Sequence, residues 1–371
     1  MTALEAAERV GKAAGERSLE VEALRRLPNE LVAALVDEQL FRLHVPARLG
    51  GGELDVGSAF AVTEALAFHD ASTAWCQMIA ATTGLLAGSL PDEHARALFG
   101  PAASVSGGFA APMGTAEPSA EGGVRVSGHW QWGSGTQHCT TIGGGTRFPD
   151  GVARFVFMDA AEVTILDTWR VSGLKGTGSN DYVADEAFVP DGRWAVLGGP
   201  PVADGPLYRF SFFGALALGV AAVALGLARR SISELVALAV VKTPQGSSRP
   251  LSERAPVQAD VAAAEADVRA ARALIDDAVG RAWATVEDGD VNSVDERWHV
   301  RLAATAAVSA AARAVDLMYA CGGGAAIFDD SPLQRAFRDV HVATQHAIVA
   351  PRTMELLGRI RFGLDTDTSQ L

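Results

Sequence analysis

Cysteine is scarce. Cys76, Cys139 and Cys321 are the only three in 371 residues, and they lie far apart. There is no CxxC and no Cys/His pair at metal-ligand spacing, so the sequence indicates neither a disulfide framework nor a metal site. Basic residues never gather into a run and the formal net charge is -13, which argues against nucleic acid as a partner. The start, Met1-Thr2-Ala3-Leu4-Glu5, has neither a basic n-region nor an apolar h-region. No secretory signal is therefore expected, and the cytoplasm is the expected compartment. Long apolar runs are missing with one exception. Phe210 to Ala228 is almost wholly apolar and long enough to cross a bilayer. The helical pattern continues past Arg229-Arg230 into Ser231-Ile232-Ser233-Glu234-Leu235, however, and Gly214, Gly219 and several alanines suit close helix packing. No second such run exists, so a buried central helix is expected rather than a membrane span.

What is present is apolar and helical in character. Hydrophobic residues make up 49% of the chain, with alanine dominant, which fits a globular fold with substantial cores. Leu24 to Leu40 carries apolar residues at helical spacing and ends before Pro46 and Gly50-Gly51-Gly52. Val56 to His69 and Ser72 to Ser89 predict two more helices, the second capped by Asp70, and Pro91 opens a short one. The period changes near Ala103. Short runs of β type follow: Val124-Arg125-Val126, Arg154 to Met158, Val163 to Leu166, and Tyr182-Val183 leading to Phe188-Val189-Pro190. After Pro206 the helical period returns. Val257, Val261, Ala264, Val268, Ala271, Ile275 and Val279 mark a long amphipathic helix, and Val294 to Tyr319 and Val340 to Ile360 give two others. With the helix from Phe212 to Leu238 these form a C-terminal four-helix bundle. The expected order is a helical domain (1–102), an antiparallel β domain (103–205) and the bundle (206–371).

That order, with four local motifs, resembles the acyl-CoA dehydrogenase fold along nearly the whole chain. The motifs are Val45-Pro46-Ala47-Arg48-Leu49-Gly50-Gly51, Gly128-His129-Trp130-Gln131-Trp132-Gly133-Ser134-Gly135, Phe188-Val189-Pro190 and Arg338-Asp339. Within the superfamily, Ser134-Gly135-Thr136-Gln137-His138-Cys139, Gly173 to Ser179 and Gln345-His346 look like the two-component flavin-dependent monooxygenases. The resemblance implies a flavin (FAD or reduced FMN), a small-molecule substrate, a separate flavin reductase as partner, and a homo-oligomer, usually a tetramer.

It also implies roles for particular residues. Trp132 and Ser134 would flank the flavin ring, and period-two alternation puts both on one strand face. A hydroxyl near the flavin N5 can tune its chemistry. His138 reads equally as a polar group of the pocket or as a satisfied buried histidine. Gly322-Gly323-Gly324 can let a backbone approach a phosphate, or simply end a helix. In the family such a loop touches the flavin of a neighbouring subunit. Arg249 stands where a flavin-phosphate contact would come from the bundle. His346 replaces the glutamate with which acyl-CoA dehydrogenases remove the α-proton of a thioester; it would serve as base or stabilise the oxygenated flavin. His341, five residues earlier, points to another helix face.

A histidine that this branch places after the Trp-containing helix is absent from Trp75 to Gly84, leaving Thr82 or Thr83 as a hydrogen-bond donor. Three readings follow. The first is a flavin-dependent monooxygenase that hydroxylates a small organic substrate. The second is an acyl-CoA dehydrogenase with bound FAD. The third is a flavin-free oligomeric binding protein.

Overall fold

A computed structural model describes residues 2–371. The N-terminal region is built from α1 (Ala3–Glu16), α2 (Ser18–Leu24), α3 (Asn29–Asp37), α4 (Val56–His69), α5 (Ala71–Gly84) and α6 (Asp92–Phe99). Asp70 separates α4 from α5. Its backbone is extended, and its carboxylate accepts from the Thr73 N–H and hydroxyl at 2.8 and 2.7 Å, as a helix N-cap does. The continuous helix expected from Leu24 to Leu40 does not form. Arg25 is left-handed (φ 52°) and Pro28 stands directly before α3. A proline lacks the N–H that a helix interior needs, and it biases the preceding residue away from helix. The run expected from Ser72 to Ser89 stays α-helical to Gly84 and tightens into a 3-10 turn over Leu85–Ser89.

The middle of the chain is one seven-stranded sheet. Its strands are β1 (Ser106–Pro118), β2 (Val124–Gly133), β3 (Thr141–Arg147), β4 (Ala153–Asp159), β5 (Val163–Ile165), β6 (Asn180–Val189) and β7 (Trp194–Ala195), in the order β5-β6-β2-β1-β3-β4-β7. All pairings are antiparallel except β1 with β3, which is parallel. β1 and β3 were not legible as strands because they are glycine-rich, and the tertiary packing explains why. Trp130 and Tyr182 are fully buried and stack at 5.3 Å in the sheet core. A Cβ at Gly114, Gly128 or Gly144 would lie 2.3, 2.7 or 2.6 Å from the Trp130 ring or a neighbouring backbone atom. The strands give up β propensity to make room for one indole.

The C-terminal region comprises α7 (Pro206–Arg209), α8 (Phe212–Val241), α9 (Ala255–Glu287), α10 (Val294–Gly322), α11 (Pro332–Ala343) and α12 (Arg352–Arg361). α8 is the central helix, packed against α4, α5, α10 and α11. In its most apolar window 72% of the residues are buried, so its apolar length is spent on the interior. Gly226 lets α4 approach: a Cβ there would lie 2.6 Å from both Ala67 Cβ and the Glu64 carbonyl oxygen. The buried Glu64 carboxylate is met by Arg229 of α8 and Arg272 of α9. The helix expected from Val340 to Ile360 is two pieces. The segment from Thr344 to Pro351 is a set of turns, with a proline just before α12. His346 therefore sits in a turn beyond the C-terminal end of α11, not on a helix face.

Candidate active site

Trp75 of α5 anchors the site. It is 6% exposed, and its indole Nε1–H donates to Ser134 Oγ at 3.0 Å. Ser134 follows β2, where the register slips: Trp130 pairs with Tyr182 but Gly133 with Asn180, so β2 carries one extra residue. Trp132 absorbs the slip in the left-handed region (φ 58°). The bulge overturns the expectation that Trp132 and Ser134 share one strand face. Trp132 is 55% exposed, edge-on to Phe109 at 5.6 Å, whereas Ser134 is buried.

Two further hydroxyls continue inward from Ser134, and the proton order of the three follows from their partners. Ser134 Oγ lies 2.7 Å from Ser179 Oγ, which lies 2.7 Å from Thr177 Oγ1. Thr177 donates its only proton to the Leu174 carbonyl at 2.8 Å. It must then accept from Ser179, and Ser179 must accept from Ser134. With the Trp75 N–H also donating to it, Ser134 is left with a single acceptor lone pair and no free proton.

The loop bearing Thr177 and Ser179 is clamped by Arg338 and Asp339. Arg338 holds Glu22 of α2 through two hydrogen bonds of 2.6 and 3.0 Å and the Ser172 carbonyl at 2.5 Å. Asp339 accepts from the Leu174 N–H at 2.6 Å, and Lys175 bonds Glu22 at 2.8 Å. A Cβ at Gly173 would stand 2.3 Å from the Arg338 carbonyl oxygen, so only glycine passes there. Burial pushes the Asp339 carboxyl up to about 7, with Asp70 adding to the rise. The Arg-Asp motif thus acts on the hydroxyl chain through the loop.

His346 faces Trp75 from the other side, with ring centroids 5.6 Å apart. Its Nδ1 accepts from the Ile348 N–H at 3.3 Å, which places the ring proton on Nε2. Buried Arg301 of α10 donates to the Ile348 carbonyl at 2.6 Å and to the Gln370 carbonyl, bracing the same turn. Burial, reinforced by the Arg301 charge, lowers the His346 pKa to about 4. Near neutral pH this imidazole is uncharged and offers an N–H. It is a hydrogen-bond donor, not the base that the sequence also allowed.

His138 lies in the turn Thr136–His138, stacked on Phe41 of the N-terminal region at 5.4 Å. Its side chain makes no hydrogen bond among the described residues, and burial lowers its pKa to about 4. The stacking favours a packing role. Cys139 nearby is pushed up to about 12 by burial, so it is a protonated thiol and no nucleophile. Thr83 donates its hydroxyl to the Ile79 carbonyl at 2.8 Å within α5, which leaves Thr82 as the free one of the pair.

Gly322, Gly323 and Gly324 do not join this group. They lie at the end of α10, where Lys242 Nζ donates to the Gly322 carbonyl at 2.6 Å, and Gly322 packs near Leu333 at the start of α11. His346 follows the opposite end of α11, a helix of 12 residues and so about 18 Å long. Arg249 belongs to the exposed loop between α8 and α9, at the same end as the glycines. Space above Gly323 and Gly324 is open.

The residues fit a reduced flavin. Exposed Trp132, edge-on to Phe109, offers an aromatic surface two residues along the chain from Ser134. The unspent lone pair of Ser134 matches the N5–H that a flavin carries only when reduced, whereas oxidised N5 would present a second lone pair. Sequence reading had singled out Ser134, Trp132 and His346. It did not single out the Trp75 indole, the Thr177–Ser179 pair or Arg301. The first two lie in segments already singled out; Arg301 is signalled by one charge on an otherwise apolar stretch of α10.

Comparisons with known proteins agree with this reading. Residues 3–94 match the family "Acyl-CoA dehydrogenase, N-terminal domain", and residues 218–351 match "Acyl-CoA dehydrogenase, C-terminal domain". The chain is 30% identical over 345 residues to the indole-3-acetate monooxygenase of Pseudomonas putida, covering 91% of this chain and 88% of that protein. It is 28% identical over 366 residues to the flavin-dependent monooxygenase oxygenase subunit HsaA of Mycobacterium tuberculosis, covering 94% and 92%. Among solved structures, XiaF from Streptomyces in complex with FADH2 and glycerol superposes with a TM-score of 0.91 at 26% identity, covering 98% of this chain and 95% of that one. With both family regions matched and relatives of this kind over more than nine-tenths of its length, the chain belongs to the flavin-dependent monooxygenases of the acyl-CoA dehydrogenase superfamily.

Proposed function

We propose that the chain is the oxygenase component of a two-component pair in the cytoplasm. It takes FADH2 or reduced FMN from a separate reductase and hydroxylates a small aromatic substrate. The single lone pair left on Ser134 carries this reading, because it favours the reduced over the oxidised cofactor. The bound reduced flavin supplies the electrons that activate O2 for transfer of one oxygen atom. Within the protein, Trp132 and Phe109 would wall the ring and Ser134 would accept its N5–H, with Trp75 and the Ser179–Thr177 chain holding Ser134 in that role. His346, neutral and beside Trp75, would offer its Nε2–H as a donor, and the buried surroundings keep water out. The names of similar proteins, which include an indole-3-acetate monooxygenase and an FADH2-dependent resorcinol hydroxylase, support an aromatic substrate.

The acyl-CoA dehydrogenase reading fits less well. Removing an α-proton needs a free base, but Nδ1 of His346 is occupied by the Ile348 N–H and Nε2 already carries a proton. The separation of the glycine turn from His346, at opposite ends of α11, supports a homo-oligomer, with a tetramer as the expected form. In it Gly322–Gly324 and Arg249 would reach the flavin of a neighbouring copy.

The test is an anaerobic titration of the purified protein with oxidised and with reduced flavin, followed by admission of O2 with an aromatic panel. Tighter binding of the reduced form and hydroxylated product in place of hydrogen peroxide are expected. Equal affinity for both forms, with bleaching of bound FAD by an acyl-CoA, would favour the dehydrogenase.

A further inference from the structure

A buried acid pair stands behind the site, where α2, the start of α5, α11 and the 172–179 loop meet. Asp70 and Asp339 are 7% and 8% exposed, and both line one cavity of about 10 Å³, room for no more than one water. Asp70 caps α5, the helix that carries Trp75, through the Thr73 N–H and hydroxyl. Asp339 takes the Leu174 N–H, at the head of the segment that carries Thr177 and Ser179. Each carboxyl therefore fixes one of the two elements that grip Ser134. The Trp75 indole donates to Ser134 from α5, and Ser179 accepts from it. The two elements touch beside the cavity: a Cβ at Gly176 would lie 2.9 Å from Ser72 Cβ.

The cations around the cavity are spent elsewhere. Lys175 is bound to Glu22 of α2, and Arg338 to Glu22 and the Ser172 carbonyl. His69, next to Asp70 in sequence, turns away to Glu8 of α1 at 3.1 Å. The hydrogen bonds of Asp70 and Asp339 come from Thr73 and the Leu174 backbone, not from a cation. One cation is idle. Arg335 stands one turn before Asp339 on α11 and lines the cavity, and its Nη1 is buried with no hydrogen-bond partner. Two carboxylates in one dry space with no cation bound to them resist a second charge, so the last proton belongs to the pair and is held toward neutral pH. Burial, with the Asp70 charge, pushes Asp339 up to about 7, and burial raises Asp70 as well.

We propose that Asp70 and Asp339 share one proton, and that its loss to solvent draws the Arg335 guanidinium between them as a wedge that loosens the grip on Ser134. A guanidinium is larger than the single water the cavity admits, so its entry parts the first turn of α5 from the 172–179 loop. The hydrogen bonds that reach Ser134 from these two sides then lengthen, and reduced flavin is held less firmly as pH rises. The link to flavin rests on the oxygenase reading; the shared proton does not.

The experiment has two arms on the full chain. The first follows the infrared band of protonated carboxyl in the flavin-free protein across neutral pH, where ordinary carboxyls are already ionised. Wild type should lose one such proton near pH 7. Asp339→Asn should remove this titration, Asp70→Asn should move it to lower pH, and Arg335→Met, which takes the counter-ion away, should move it to higher pH. Arg335→Met also keeps the test open should an Asn variant fail to fold. The second arm measures the dissociation constant of reduced FAD, anaerobically, over the same range. It should rise by about two- to tenfold through the midpoint in wild type, the worth of one hydrogen bond, only at higher pH in Arg335→Met, and not at all in Asp339→Asn. Ionisation of the flavin itself is common to all variants and cancels in their ratio to wild type. No carboxyl proton lost near neutral pH, a midpoint unmoved in either Asn variant, or an Arg335→Met midpoint that does not rise would overturn the shared proton and its counter-ion. Coinciding affinity profiles for wild type and Asp339→Asn would overturn the wedge. A wild type that binds no reduced flavin at any pH would sink the oxygenase reading instead, and the infrared titration would still decide the pair.

Discussion

Replacing Ser179 with alanine should change which redox state of flavin the protein prefers. In the wild type, Thr177 gives its proton to the Leu174 carbonyl, so Ser179 must donate to Thr177 and Ser134 to Ser179. Ser134 can then only accept from a ligand. Without the Ser179 hydroxyl the Ser134 proton is free to turn outward, and Ser134 can donate to the N5 lone pair of oxidised flavin. One hydrogen bond of this kind is worth about 0.5–1.5 kcal/mol, so Ser179→Ala should bind oxidised FAD roughly two- to tenfold more tightly while reduced FAD changes little. Ser134→Ala is the complementary perturbation. It removes the acceptor, weakens reduced flavin by a similar factor and leaves oxidised flavin unchanged or slightly improved. It also strands the buried Trp75 N–H, at a cost of about 1–3 kcal/mol in folding stability. The assay is anaerobic titration of both variants and wild type with dithionite-reduced and oxidised FAD, beside urea denaturation. If Ser179→Ala weakens both redox states equally, or leaves their ratio untouched, the proton order deduced for the chain is wrong.

Other outcomes follow from the same contacts. Arg338→Ala loses the paired hydrogen bonds to Glu22 and the hold on Ser172; it should cost about 2 kcal/mol in urea denaturation and raise the hydrogen peroxide released per product formed as the 172–179 loop loosens. Asp339, raised from 3.8 to about 7, holds its proton more tightly in the folded state, so it costs stability as pH rises from about 4 to about 7. Asp339→Asn should therefore gain on wild type by up to about 4 kcal/mol at pH 8 and show no gain at pH 4, as read from urea midpoints. His346 is shifted the other way, from 6.5 to about 4, so its contribution is intact above pH 6.5 and is lost as pH falls toward 4. His346→Gln should narrow the acid-induced loss of stability by up to about 3 kcal/mol, and its product yield should fall at every pH. Gly226→Ala should destabilise the α4–α8 crossing by about 1–3 kcal/mol in thermal denaturation, because its Cβ meets the Ala67 side chain and the Glu64 carbonyl.

Much of the architecture and part of the site were legible in the sequence. Local rules fixed what local rules govern. Asp70 marks a helix boundary because a carboxylate two or three residues ahead can satisfy free backbone N–H groups. The α9 stripe from Val257 to Val279 faces the bundle because its period matches a helix. Trp132, Ser134 and His346 stood out by motif. The glycine strands β1 and β3 were hidden, since their composition answers to a tryptophan on another segment. The break after Ala343 was hidden because Pro351 acts at the end of a periodic run that otherwise continues.

The sequence by itself determined the order of helical, β and helical regions and several residue types of the candidate site. Hydrophobic period, capping and proline placement act over a few residues and can be read from neighbours. Tertiary structure alone decided the chemistry of those residues. A bulge turned Trp132 outward and Ser134 inward. The Ile348 N–H made His346 a donor. Arg338 reached Glu22 across 316 residues to set a loop that orients the proton of Ser134. Protonation state, tautomer and hydrogen-bond direction depend on partners brought together in space, and no spacing along the chain encodes them.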